Sequence, residues 1–264
     1  AGILLALSSA LRVIRLDMSF WMDEIITITQ FVPRPWLKII TEVPFPNNHI
    51  LYSLLCKLSI LIFGEKECSA RLPAMIIGAF TPPVCYLVFR KKFSEPISFC
   101  AGLFLALNFW SVWMSQDARG YSAFILFSLL STYFFLEYLE RGGWKIGFCY
   151  LLLTVLCVWF YLYSLFLILG QLVWAIICLT RKNIQPKKFI LIFASALLGL
   201  SLYLPSLLGL YQYATTETKM AKIHPLNLLF FKDLLMMLFG TRKLGFAIIF
   251  SLLTLPGFFQ LAKK

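Results

Sequence analysis

Three short stretches of this chain set acidic, basic and hydrogen-bonding side chains against strongly apolar runs. In Trp21-Met22-Asp23-Glu24, two adjacent carboxylates follow an apolar surface. Carboxylates in such a place are costly to desolvate, so they need a partner or a wet cavity. Asp23 or Glu24 can then act as a general base or orient a ligand; the plainer reading is a solvated loop pair. Asn47-Asn48-His49 precedes another apolar run. An Asn there suits a helix cap, and His49 in the first turn is disfavoured as a cation by the helix dipole, which leaves a neutral imidazole to meet a polar ligand. The most compact group is Ser115-Gln116-Asp117-Ala118-Arg119-Gly120-Tyr121, where Gln116, Asp117, Arg119 and Tyr121 crowd into a short turn between two apolar runs. Either Asp117 and Arg119 neutralise each other, or Arg119 takes a phosphate bidentately while Asp117 orients it or binds a metal. Arg71 stands at the start of a further apolar run, as a snorkelling anchor or an anion clamp.

The elements that must position these residues are membrane helices. The chain has 264 residues, 60% hydrophobic and 14% charged, where soluble domains hold about 45–50% apolar residues. That excludes a soluble domain, a disordered chain and a disulfide scaffold. A formal charge of +12 would suit nucleic acid in a soluble protein. Here the charges set topology, bind another anion, or both, and no nucleic-acid partner is expected.

A spanning helix needs about 20 mostly apolar residues. Such runs lie near 68–89, 94–113, 121–139, 144–162, 163–180, 189–211 and 244–262. A shorter run at 1–16 carries Arg12 and Arg15 and reads as a first transmembrane helix trimmed at its start, since a basic leader and a small-residue cleavage site are missing. Residues 146–180 hold no charge. As one helix they would extend about 50 Å, well beyond a hydrocarbon core of about 30 Å. Two spans turning at Phe160-Tyr161-Leu162-Tyr163 fit better, with tyrosines at interface depth. That parity also puts Arg90-Lys91-Lys92, Arg141 with Lys145, Arg181-Lys182 with Lys187-Lys188, and Lys263-Lys264 on one side, as the positive-inside rule asks.

The chain thus reads as a single all-α membrane domain over 1–264. Its parts are a partial span at 1–16, an outer loop at 17–67, spans within 68–211, a second long outer loop at 212–243 and a last span at 244–262. The first outer loop is expected to hold two juxtamembrane helices. One follows Pro35, with Trp36, Ile39, Ile40 and Val43 on one face. The other runs from His49 to Phe63 and stops at Gly64. The seven cysteines have no metal-type spacing and read as small buried hydrophobes.

Taken in order, Leu11-Arg12, Trp21-Met22-Asp23-Glu24, Asn47-Asn48-His49-Ile50-Leu51-Tyr52, Phe63-Gly64-Glu65, Arg71-Leu72-Pro73-Ala74 and Ser115 to Ser122 carry a likeness. With these motifs the chain resembles the GT-C membrane glycosyltransferases, in the bacterial branch related to protein O-mannosyltransferases and lipid A aminoarabinose transferases. In the turn motif, Met114 and Asp117 stand where that branch commonly has Tyr and Glu. The resemblance implies a polytopic helical bundle of about eight spans and a polyprenyl-phosphate-linked sugar donor. The sugar would pass, with inversion, to a lipid, glycan or protein acceptor on the exoplasmic face of a bacterial inner membrane. It makes Asp23 the base that deprotonates the acceptor hydroxyl. It also gives Arg119 and Arg71 the leaving phosphate, with Glu24, His49, Gln116, Asp117 and Tyr121 around the donor. No cofactor is expected. Related oligosaccharyltransferases hold a divalent ion between acidic outer-loop residues, and Asp23 with Asp117 could supply such ligands, but two carboxylates alone do not define a site. The other readings are a polyprenyl-lipid flippase, which usually shows repeats and broken helices near the midplane, and a non-catalytic polytopic protein.

Overall fold

The computed structural model describes residues 1–42, 48–181 and 184–206 continuously, and isolated positions beyond them. Among the described residues the chain is all-helical. The order is α1 (Gly2–Val13), α2 (Met22–Ile26) continuing as a π-turn (Thr27–Phe31), α3 (Trp36–Thr41), α4 (Ile50–Phe63), α5 (Glu67–Phe89) and α6 (Glu95–Leu107). Then come α7 (Phe109–Trp113), α8 (Tyr121–Arg141), α9 (Trp144–Phe160), α10 (Ser164–Thr180) and α11 (Pro186–Ser201). With 23 and 21 residues, α5 and α8 are long and apolar enough to cross a membrane, while α1, α4, α6, α9 and α10 are apolar but shorter. The expected second outer loop at 212–243 and last span at 244–262 lie outside the described residues.

Helix α5 is the hub, packing against α1, α4, α6 and α8; α8 pairs with α9, and α9 with α11 and α10. Fully buried Ala70, Ala74, Ala118 and Ala123 line the contact of α5 with its neighbours. Small side chains let helix backbones approach closely where lipid gives no hydrophobic driving force. Gly78 extends this: a Cβ there would collide with the Ser115 side chain, so only glycine admits the Ser115–Tyr121 turn against α5.

The turn expected at 160–163 is present, with Tyr161 extended between α9 and α10. The run at 94–113 is not one helix. Asn108 adopts an extended backbone that ends α6, and its side chain accepts from Ser111 N at 3.0 Å to start α7. The carbonyls freed at the end of α6 carry partial negative charge, and Arg12 fills that break. Its Nη atoms donate to Leu105 O at 3.2 Å, Ala106 O at 3.4 Å and Ser111 Oγ at 2.9 Å, and its Nε to Ser115 Oγ at 3.1 Å. The run at 189–211 starts earlier, at Pro186, and its regular helix ends at Ser201.

The helix after Pro35 runs Trp36–Thr41, with Ile39 buried and Trp36 left 44% exposed. Its partner begins at Ile50, one residue later than expected, so His49 is the residue before the helix and lies outside its first turn. Asn48 does not cap by its side chain; it bridges Ile39 O at 3.2 Å and the Ser53 hydroxyl at 2.9 Å. Cysteine is less uniform than expected: Cys56, Cys85 and Cys157 are buried, but Cys68 and Cys100 are exposed. At the far end of α5 and α8, Lys92 pairs with Glu137 and Glu140, Arg141 with Glu137, and Lys188 donates to Leu139 O at 2.7 Å. The basic turns therefore gather at the end opposite Asp23, Arg71 and Arg119.

Candidate active site

Glu24 is the centre of the arrangement at the other end. As the third residue of α2 it reaches back to Trp21 N at 2.8 Å, which fixes the helix start in the manner of a capping box. Its two oxygens also take Arg71 Nε at 2.7 Å and Nη2 at 2.6 Å, and Ala118 N at 2.7 Å. One buried carboxylate so joins the α1–α2 loop, α5 and the 115–121 turn. Arg71 uses its remaining donors on the carbonyls of Leu16 at 3.0 Å, Met18 at 2.5 Å and Ser19 at 3.1 Å. A guanidinium has five N–H groups, and all five are taken, with the side chain only 4% exposed. Arg71 therefore neither snorkels nor presents a donor to an added anion; it anchors the loop that leads into α2, the helix that carries Asp23.

Arg119 plays a related part from the turn. It is buried, and its Nη1 donates to Asp23 O and Thr27 Oγ1, both at 3.2 Å. Its Nη2 lies 2.8 Å from His49 Nε2. Gly120 N donates to the other ring nitrogen, Nδ1, at 3.1 Å, and the Phe160 carbonyl also meets the ring. Burial, aided by the Arg119 charge, holds His49 well below its ordinary pKa, as a neutral ring. The imidazole stacks on Tyr161 at 4.8 Å and meets Tyr121 edge-on at 5.0 Å. This approach depends on Gly120, where a Cβ would run into the Phe160 carbonyl and His49. Asp23, half-buried, thus has its backbone carbonyl fixed by Arg119 and by Thr27 Oγ1 at 3.2 Å.

Asp117 takes a different direction. It lines a cavity of about 190 Å³ together with Arg15, Trp21, Glu24, Arg71, Trp113 and Gln116. Burial, with the Glu24 charge second, pushes its carboxyl up to about 6, against a hydrogen bond from Trp113. Gln116 lines the same cavity, but its amide nitrogen is spent within the fold. Its Nε2 holds Leu11 O at 3.1 Å and Ile14 O at 2.5 Å, tying the end of α1 to the turn.

The structure therefore brings Asp23, Glu24, His49, Arg71, Asp117, Arg119 and Tyr121 together from α2, the residue before α4, the start of α5 and the 115–121 turn. It adds Arg12, Arg15, Thr27, Trp113 and Tyr161, which sequence reasoning did not single out. The only available signals were two arginines at the end of an apolar run and an aromatic turn at 160–163. Among the described residues no three His, Cys, Asp or Glu side chains gather as metal ligands, and the Glu24 oxygens are already taken by four N–H groups.

A family model described as dolichyl-phosphate-mannose-protein mannosyltransferase matches residues 46–208. No curated protein and no solved structure matches the chain. The matched region holds His49, Arg71 and the 115–121 turn. Asp23 and Glu24 precede it but are bound to it through Arg71, Ala118 and Arg119. With well over half of its length covered, the chain belongs to the dolichyl-phosphate-mannose-protein mannosyltransferase family, a family of membrane glycosyltransferases.

Proposed function

We propose that the protein transfers a sugar from a polyprenyl-phosphate-linked donor to a hydroxyl of a lipid, glycan or protein acceptor, with Asp23 as general base, at the outer face of a bacterial inner membrane. The observation that carries this reading is the placing of Asp23. Its backbone is held by Arg119 and Thr27 and its neighbour Glu24 is locked to Arg71, while Asp23 itself is half-buried. A base held on a rigid support is what proton abstraction needs.

In the proposed reaction the acceptor oxygen attacks the anomeric carbon and its proton passes to the Asp23 carboxylate. The bond between the anomeric carbon and the phosphate oxygen breaks on the opposite face, so configuration inverts and polyprenyl phosphate leaves with the bonding pair. The proton on Asp23 then returns to solvent or to the departing phosphate. His49 and Arg119 act here as positioning residues for Asp23 on α2. No metal enters this scheme.

The test is sugar transfer by the protein reconstituted with polyprenyl-phosphate mannose and with donors carrying other sugars. Asp23→Asn is expected to lower turnover by about a hundredfold or more, on the scale of losing a general base, with donor affinity retained. Turnover equal to wild type in that variant, or lipid crossing the bilayer with no sugar transferred, would overturn the reading. Turnover is also expected to survive EDTA; loss that is restored by a divalent ion would bring Asp117 and Asp23 back as ligands.

A further inference from the structure

We propose that Arg15 receives the phosphate of the lipid-linked sugar, at the mouth of the cavity shared by Trp21, Trp113 and Asp117; this rests on the transferase reading for the identity of the ligand. Among the described residues Arg12, Arg15, Arg71 and Arg119 stand around this site, while Arg34 further along the outer segment pairs with Glu42. Arg12, Arg71 and Arg119 are buried and hold carbonyls, hydroxyls, Glu24 or His49. Arg15 is exposed. Its Nε donates to Met18 Sδ at 2.8 Å, a weak acceptor, and no carboxylate among the described residues forms an ion pair with it.

Its backbone is a second, independent sign. Arg15 is the one non-glycine residue with positive φ, at 73°, among the described residues. Side chains with a Cβ adopt that region at a cost, and such strain collects where a ligand is held. Here the left-handed residue turns the chain after α1, and the Arg15 side chain lines the cavity. Gln116 ties Leu11 and Ile14, just before Arg15, to the turn that bears Asp117. The two walls are therefore one unit.

The cavity suits a sugar phosphate. Its volume of about 190 Å³ is below the roughly 300–1,000 Å³ of pockets that enclose drug-sized ligands, so it takes a head group while a lipid chain stays outside. Trp21, 67% exposed, and Trp113 line it, and aromatic side chains suit the C–H face of a pyranose. Asp117 offers an acceptor to a sugar hydroxyl. On the inner wall Glu24 is paired with Arg71, which leaves the Asp117 carboxyl facing the sugar side and Arg15 at the rim as the cation for the phosphate.

The test is titration of the purified protein with polyprenyl monophosphate, and with polyprenol as the phosphate-free control, followed by tryptophan fluorescence. Arg15→Gln is expected to weaken phosphate binding about tenfold or more, the loss of one charge-assisted bidentate contact, and to leave polyprenol binding unchanged. Arg15→Gly removes the guanidinium but suits φ 73° better than arginine does. It should therefore melt no earlier than wild type while binding as weakly as Arg15→Gln. Arg15→Lys keeps the charge and should fall between. Wild-type affinity in Arg15→Gln and Arg15→Gly, or no polyprenyl-phosphate binding by the wild type, would overturn the assignment. Arg15-dependent binding with no sugar transfer would leave the site standing and remove the transferase reading instead.

Discussion

Arg71 holds Glu24 through two parallel bonds and the Leu16, Met18 and Ser19 carbonyls through the rest, so its removal leaves a carboxylate buried without its cation. Breaking a buried pair on one side costs about 3–5 kcal/mol. Arg71→Met is therefore expected to lower thermal stability in detergent by that amount. Arg71→Met with Glu24→Leu should recover only part of it, because Trp21 N and Ala118 N lose their acceptor as well. Asp117 carries the pH dependence. Its carboxyl is raised from 3.8 to about 6 in the folded protein, so the folded state binds the proton more tightly than the unfolded one. Stability then falls as pH rises from 3.8 to about 6, and the penalty is fully present above that. Asp117→Asn is expected to stabilise the protein at pH 7–8 by about 1–2 kcal/mol once partial exposure is allowed for, seen as a higher melting temperature. Below pH 3.8 the difference should vanish. A melting curve for both proteins at several pH values checks this, and a gain at low pH alone would contradict it.

At the scale of elements, the break between α6 and α7 and the guanidinium that fills it belong together. Asn108 ends α6, and Arg12 from α1 satisfies the exposed end through Leu105 O, Ala106 O and Ser111 Oγ. Arg12→Met keeps much of the side-chain length but leaves those acceptors dry. At about 1–3 kcal/mol for an unsatisfied buried group, it is expected to destabilise the protein by several kcal/mol. The variant should also raise proteolysis within 107–115, where α7 begins. Gly120→Ala probes a different joint. Its Cβ would meet the Phe160 carbonyl, so it should disturb the contact of the 115–121 turn with the α9–α10 turn and reduce turnover more than it reduces melting temperature.

Across the whole molecule, the polar site and the basic turns occupy opposite ends of α5 and α8. Asp23, Arg71 and Tyr121 stand at one end; Lys92, Glu137, Arg141 and Lys188 stand at the other. A charge asymmetry of this kind sets orientation in a bilayer. In a cysteine-free background, Asp17→Cys is expected to react with an impermeant maleimide from outside the cell, and Gly143→Cys only after permeabilisation. Labelling of both from one side would contradict that arrangement.

Run length and helical period are local quantities, so the helical, apolar character of the chain and the ends of most of its longer helices were legible in the amino-acid order. The turn at 160–163 is the clearest case: a charge-free run too long for one bilayer crossing must fold back. The amino-acid order also determined which residue types would carry chemistry. What it did not contain was the partner of each charge. Glu24 meets Arg71 across 47 residues and Ala118 across 94, and Arg12 meets Ser111 across 99. No local period reaches that far. Arg71 and Arg119 therefore looked like anion binders until packing showed their donors turned inward, and Arg15 looked like one more charge near a membrane. Which arginine at the cavity has its donors spent on the fold and which stands exposed at its rim emerges from packing alone, because burial and hydrogen bonding are properties of helices brought together rather than of any one of them.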